Sequence, residues 1–228
     1  GMAQYINWTN SDPRYIENGS ELPSESYADQ PYVIVCDDGS WLCTITTSSG
    51  TEGAHMNHIV ATKSYDQGKT WTELKNVEPP GVPQSSWAVP LKIPSGRIYV
   101  FYNYNKHHFE GGSAAVMSAP FMFKYSDDHG KTWSKNRYKA PLRITQIDRD
   151  NYTNGEHQFF WSIDKPVVTN EAAYIAFTKL CFQDAAGDYP RSEGFILKST
   201  NILTENDPEK IEWETLPEGD TGIYNPEL

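Results

Sequence analysis

The segment Ser64-Tyr-Asp66-Gln-Gly68-Lys-Thr70-Trp71 recurs as Ser126-Asp-Asp128-His-Gly130-Lys-Thr132-Trp133, so the pattern S-x-D-x-G-x-T-W occurs twice in 228 residues. Its chemistry is that of a tight connection between two strands. Ser and Asp present side-chain oxygens to nearby backbone N–H groups, Gly supplies a position with φ > 0, and Thr-Trp restarts an extended chain. Agreement at all five positions that the pattern specifies marks a repeated unit, and internal repetition restricts architecture more than any single motif does.

Reading outward from each copy recovers the same β unit. The first has extended segments at 32–35, 41–46 and 58–63, a turn at Asp38-Gly39, a long loop, the octapeptide, and a strand from Trp71. The second has 88–93, a turn at Ser95-Gly96, 97–104, a long loop, 120–125, the octapeptide, and a strand from Trp133. A third follows with 166–169, a turn near Asn170-Glu171, 173–179, 195–198, then Ser199-Thr-Asn201 and a delayed Trp213, as if an insertion containing Asp207-Pro208 had stretched the octapeptide. The unit starts at 64, 126 and 199 are 62 and 73 residues apart, a spacing suited to four strands with long loops. No amphipathic pattern reaches three helical turns. The expectation is an all-β chain, one domain over 1–228 built of about three four-stranded units at 26–80, 85–140 and 158–218.

The octapeptide resembles the Asp-box, or BNR repeat, of the sialidase-like β-propellers, where it closes the hairpin between the third and fourth strands of a blade. The resemblance implies three blades of a six-bladed ring, since a propeller must close to remove its sheet edges. Either further C-terminal blades or a second copy of the chain is then expected to complete it, or the last blade is left open and covered by something else, with a partial chain the favoured reading. In that family the boxes lie away from the substrate, so Ser64, Asp66, Gly68, Thr70, Trp71, Ser126, Asp128, Gly130, Thr132 and Trp133 are expected to be structural.

Residues at the starts of the inner strands and in the loops between second and third strands are expected to line the site. These are Asp29, Trp87, Trp161, Asp164 and Lys165, with Glu52, His55, His58 and His107 from the loops. True sialidases open the first blade with an aromatic-Arg-Ile/Leu-Pro motif whose Arg grips the substrate carboxylate. Here the matching stretch is Ala28-Asp29-Gln30-Pro31, and a carboxylate in place of that Arg repels a carboxylate ligand. The family's acid/base Asp lies in the loop after the second strand of that blade, where this chain has Glu52 between Thr51 and Gly53. The resemblance thus implies a glycoside hydrolase acting on a carbohydrate other than ordinary sialic acid. Glu52 would be the acid and Asp29 a partner carboxylate or hydroxyl ligand, while the family's nucleophilic Tyr, its paired Glu and the remaining arginines are expected beyond Leu228. A carbohydrate-binding or scaffold propeller without catalysis is the alternative.

Composition narrows the partners. Lys plus Arg number 19 against 30 Asp plus Glu, a net charge of −11, which disfavours nucleic acid and anionic membranes. No apolar run approaches a membrane span. Trp87 and Trp161 are candidate stacking platforms for sugar rings, and His55, His58 and His107 candidate hydroxyl contacts. No metal site and no cofactor is expected, because His55-x-x-His58 lacks a third ligand at recognisable spacing. Cys36, Cys43 and Cys181 are expected to be free thiols; with Asp38-Gly39 as a two-residue turn, Cys36 faces Trp41 and Cys43 faces Ile34. The triplets at Asn7, Asn18 and Asn151 fit the N-glycosylation pattern. If Met2 is the native start there is no signal peptide and the chain is cytoplasmic; if a leader was removed, it is periplasmic or secreted.

Overall fold

The computed structural model describes residues 21–23, 25, 27–48, 57–81, 83–110, 112–162, 164–224 and 226. Three antiparallel sheets follow one another along the chain, and none closes on itself. The first is β1 (Tyr27–Val35), β2 (Trp41–Ser48), β3 (His58–Ser64) and β4 (Lys75–Glu78), in that order. The second is β5 (Ser85–Lys92), β6 (Ile98–Tyr104), β7 (Phe121–Ser126) and β8 (Tyr138–Ala140), with a short helix α1 (Gly112–Met117) between β6 and β7. A one-turn helix α2 (Gln146–Arg149) leads to the third sheet, in which β10 (Val167–Val168), β11 (Ala173–Leu180), β12 (Ser192–Ser199) and β13 (Glu214–Leu216) are neighbours. There the expected single inner strand is split: β9 (Phe160–Trp161) also pairs with β11, making five strands.

The two octapeptides fold alike. Asp66 Oδ1 accepts from Thr70 N–H at 2.8 Å and Oδ2 from the Thr70 hydroxyl at 2.5 Å, while Ser64 Oγ accepts from Gly68 N–H at 2.7 Å. Asp128, Thr132, Ser126 and Gly130 repeat this at 2.8, 2.6 and 2.9 Å. Those hydrogen bonds favour the ionised carboxylate, and with Thr70 as the main donor they hold Asp66 down to about 2. In the third sheet Asn201 takes the same place: its Oδ1 accepts from Glu212 N–H at 2.8 Å, after an excursion through a 3-10 turn capped by Asp207.

The fourth strands start later than Trp71 and Trp133 led one to expect, at Lys75 and Tyr138. A side-chain hydroxyl stands in for a ladder carbonyl: Lys63 N–H donates to Thr72 Oγ1 at 3.0 Å, and Tyr125 N–H to Ser134 Oγ at 3.1 Å. Regular pairing resumes only once the chain has passed those hydroxyls. The β1–β2 register also differs by one residue. Trp41 faces Val35 and Cys43 faces Val33, because Cys36 N–H donates to Ser40 O at 2.8 Å and closes a longer loop. Cys36 and Cys43 therefore belong to separate apolar clusters, and all three cysteines are free and buried.

Consecutive sheets pack face to face. Ile59, Ala61, Val77, Ala88, Val100 and Tyr102 form the layer between the first and second sheets. Phe101, Phe123, Ile175, Phe177, Phe195 and Leu197 fill the space between the second and third. Glycines in the tight turns are part of this packing: Gly130 has φ +83°, and a Cβ there would sit 2.8 Å from Leu42 Cδ1. Gly130→Ala should lower stability by about 1–3 kcal/mol, combining the left-handed backbone cost with overpacking. The urea midpoint measures it, and an unchanged midpoint would show that the two sheets can part at no cost.

Candidate functional site

The first strands of the three sheets meet. β1 and β5 each break register at the same level, between Asp29 and Tyr32 and between Ser86 and Val89. The residue that opens each bulge is left-handed without being glycine, Gln30 at φ +47° and Trp87 at φ +60°. Such backbone is uncommon and gathers where the chain must re-aim a side chain. Thr46 Oγ1 on β2 holds the second bulge by accepting from Trp87 N–H at 2.8 Å. In the third sheet the gap between β9 and β10 lies at the corresponding place and carries Asp164 and Lys165.

These breaks bring several expected site residues together. The Trp87 and Trp161 rings meet edge to face at 6.0 Å, and Trp161 meets Tyr189 the same way, also at 6.0 Å. Trp87 is only 5% exposed and packs with Ala114, Val116, Phe159 and Phe182. Trp161 is half-buried, and Tyr189, from the β11–β12 loop, is 38% exposed. Lys165 reaches across to donate to Val33 O of β1. Gln30 N–H donates to Asp29 Oδ1 at 2.8 Å. Tyr32 lies close enough to Asp164 and Asp29 that, after burial, their charges add to an upward shift of its phenol.

Other expected residues lie elsewhere. His58 is buried at the start of β3, with Nε2 3.5 Å from Glu25 Oε1. Glu52 and His55 lie outside the described residues. The two octapeptide turns join β3 to β4 and β7 to β8, at the sheet ends opposite the β6–β7 connection that carries His107. Asn151 is no exposed glycan acceptor: it is buried, its Nδ2 donates to His157 O at 2.9 Å, and its Oδ1 accepts from Thr153 N–H.

His107 lines a cavity of about 680 Å³ between the β6–β7 connection, β8 and the segment leading to β9. Its ring centroid is 4.4 Å from that of His157. Burial pulls the His107 imidazolium below the ordinary histidine value, and the nearby His157 and Lys106 add to this. Tyr32, Tyr189 and Lys139 carried no signal in the sequence, since nothing in their neighbourhoods departs from an ordinary strand or loop. Among the described residues no group of three or more His, Cys, Asp and Glu is placed to hold a metal ion, and no helix is long and apolar enough to cross a membrane.

No protein-family profile matches the chain, and no curated protein matches its sequence. Solved structures match in fold. A Hadza microbial sialidase superposes with a TM-score of 0.57 at 15% identity, over 84% of this chain and 37% of that one. A thermostable family-43 glycoside hydrolase gives 0.56 at 11% identity, over 90% and 62%. A polysaccharide lyase described as an ulvan lyase gives 0.53 at 14% identity, over 87% and 44%. This chain thus spans less than two thirds of each, and what it shares with these carbohydrate-active propeller enzymes is the fold.

Proposed function

We propose that this chain supplies part of the substrate-binding surface of a carbohydrate-active β-propeller, its three sheets being three successive Asp-box blades. The observation that carries this reading is the convergence of three broken first strands on one place. An aromatic pair with accessible surface, Trp161 and Tyr189, lies there with the carboxylates Asp29 and Asp164. Apolar ring faces take up the C–H faces of a sugar, and carboxylates accept from its hydroxyls; such a mixture of aromatic walls and few polar groups is what ligand sites use. Tyr32, kept protonated by burial and by both carboxylates, adds a hydrogen-bond donor. Sialidase-like hydrolysis is the more specific form of the proposal, with Glu52 as general acid and Asp29 as the second carboxylate. Binding without turnover is its alternative.

Affinity electrophoresis against a panel of neutral and acidic polysaccharides tests the binding. Trp161→Ala should weaken retention by about tenfold, or about 1.4 kcal/mol, with Trp87→Phe much less affected because that ring is packed inside. Retention on none of the panel, or retention indifferent to Trp161, would remove the reading. Loss of product release in Glu52→Gln with retention intact supports hydrolysis, and retention with no product in the unsubstituted protein supports binding alone.

A further inference from the structure

The cavity beside His107 has a sign of charge opposite to that of the protein. The whole chain carries a net charge of −11, yet the cavity is lined by Lys106, His107, His108, Arg137, Lys139 and His157. Arg137 is already paired, its guanidinium bidentate on Glu78 at 2.6 and 3.0 Å. Lys106 and Lys139 form no ion pair among the described residues, and both are exposed at the mouth. Among the described lining residues the one carboxylate is Glu156, 3.8 Å from His157 Nε2 with its own side chain 78% exposed. A cationic pocket in an acidic protein concentrates anions, because low-dielectric walls focus the field of the charges that line it.

The two histidines are positioned by the fold. Asn151 Nδ2 donates to His157 O at 2.9 Å and Thr153 Oγ1 accepts from His157 N–H at 3.0 Å, while the Phe109 and His157 rings meet nearly perpendicular with centroids 5.1 Å apart. His107 sits in a turn in which Lys106 N–H donates to Tyr104 O at 2.7 Å. Burial opposes protonation of His107, and His157, its ring 4.4 Å away, adds to that opposition with Lys106 and Lys139 while Glu156 works against it. An anion bridging the rings would relieve the repulsion. Phe121, Met122, Leu142 and Ile144 also line the cavity; Ile144 is 49% exposed, so the anion's carbon skeleton has apolar surface to cover.

We propose that this cavity binds an acidic sugar or similar ring carrying a carboxylate or sulfate ester, held by Lys106, Lys139 and the His107–His157 pair. It is separate from the Trp161 site, so the two proposals stand or fall apart. Binding is coupled to proton uptake at His107: an anion beside its imidazolium favours the charged form, so affinity grows as pH falls through the histidine range and levels off once that ring is charged.

The test is an NMR titration following the Cε1–H resonances of His107 and His157, with sodium glucuronate, glucose 6-sulfate, glucose and inorganic sulfate as probes. Glucuronate or glucose 6-sulfate should move both resonances, and the stronger of the two names the anionic group. Glucose should move neither. Affinity should rise about tenfold between about pH 7.5 and about pH 5.5. Lys106→Gln and Lys139→Gln, both at exposed positions, should each weaken it by a few-fold, and His107→Gln should flatten the pH dependence, with near-UV circular dichroism unchanged. Inorganic sulfate binding as tightly as the sugar acids would overturn the organic ligand. Unmoved resonances with every probe, or affinity indifferent to both lysine substitutions, would overturn the site.

Discussion

Asp148→Ala should lower the unfolding free energy by about 3–5 kcal/mol, because it leaves a lysine ammonium alone in the protein interior. Lys179 Nζ lies 2.5 Å from Asp148 Oδ2, and both side chains are fully buried. The ammonium also donates to Arg143 O at 2.5 Å and Thr145 Oγ1 at 3.3 Å, while Asp148 Oδ2 accepts from Thr145 N–H at 2.9 Å. The pair therefore ties α2, on the connection between the second and third sheets, to the C-terminal end of β11. Burial pulls the Lys179 ammonium down, with the Asp148 charge acting against it, so removing Asp148 favours the neutral amine. Chemical denaturation of Asp148→Ala, Lys179→Met and the double variant measures the coupling. The double variant should recover much of the loss, since an apolar replacement of both partners removes the stranded charge. A single substitution costing under about 1 kcal/mol would mean that water reaches the pair.

Glu78→Ala should be the second large loss, at the lower end of the same range of about 3–5 kcal/mol. The Glu78 carboxylate ends β4 and faces the second sheet, where the Tyr102 hydroxyl donates to it at 2.6 Å, Arg137 clasps it, and Lys124 Nζ stands 3.7 Å away. The Arg137 side chain is 35% exposed and can turn to water when its partner goes, which moderates the cost. Burial pushes Glu78 up, yet the hydrogen bonds from Arg137 and Tyr102 and the charge of Lys124 outweigh it and leave it below the usual carboxylate range. A depressed folded-state value stabilises the fold above the unfolded value of about 4.3 and loses that contribution as pH falls through the folded one. Glu78→Gln should therefore show a flatter loss of stability between about pH 5 and about pH 3 than the unsubstituted protein. Parallel acid-denaturation slopes would place the depression elsewhere.

Much of the strand framework was legible because its signals are local. The octapeptide contains its own donors and acceptors, so Ser64, Asp66, Gly68 and Thr70 specify their turn whatever surrounds them. Alternation and turn residues placed β2, β3, β6, β7 and β11 within a few residues. The misreadings fall where a side chain replaced a backbone partner or where a backbone hydrogen bond closed a longer turn. Thr72 and Ser134 delayed the fourth strands, and the Cys36 to Ser40 hydrogen bond lengthened the first hairpin. Hydroxyl residues near a strand end look the same in a sequence whether they face water or the ladder.

The candidate sites divide in the same way. That Asp29 and Trp87 stand near the starts of their strands follows from the spacing of the repeats, whereas Trp161 ends β9 and Asp164 and Lys165 lie in the gap before β10. That Trp87 is buried while Trp161 is only half-buried follows from the left-handed bulge at Trp87 and from the apolar cluster it packs into, including Ala114 and Val116 of α1. His107 and His157 are 50 residues apart in the chain, and only the packing of the β6–β7 connection against the segment before β9 sets their rings 4.4 Å apart. The sequence by itself determined the repeat, the all-β class and the turns, because those rest on hydrogen bonds within a few residues. The tertiary structure alone decided which side chains share a cavity and which charges are buried together, because those depend on how one sheet lies against the next.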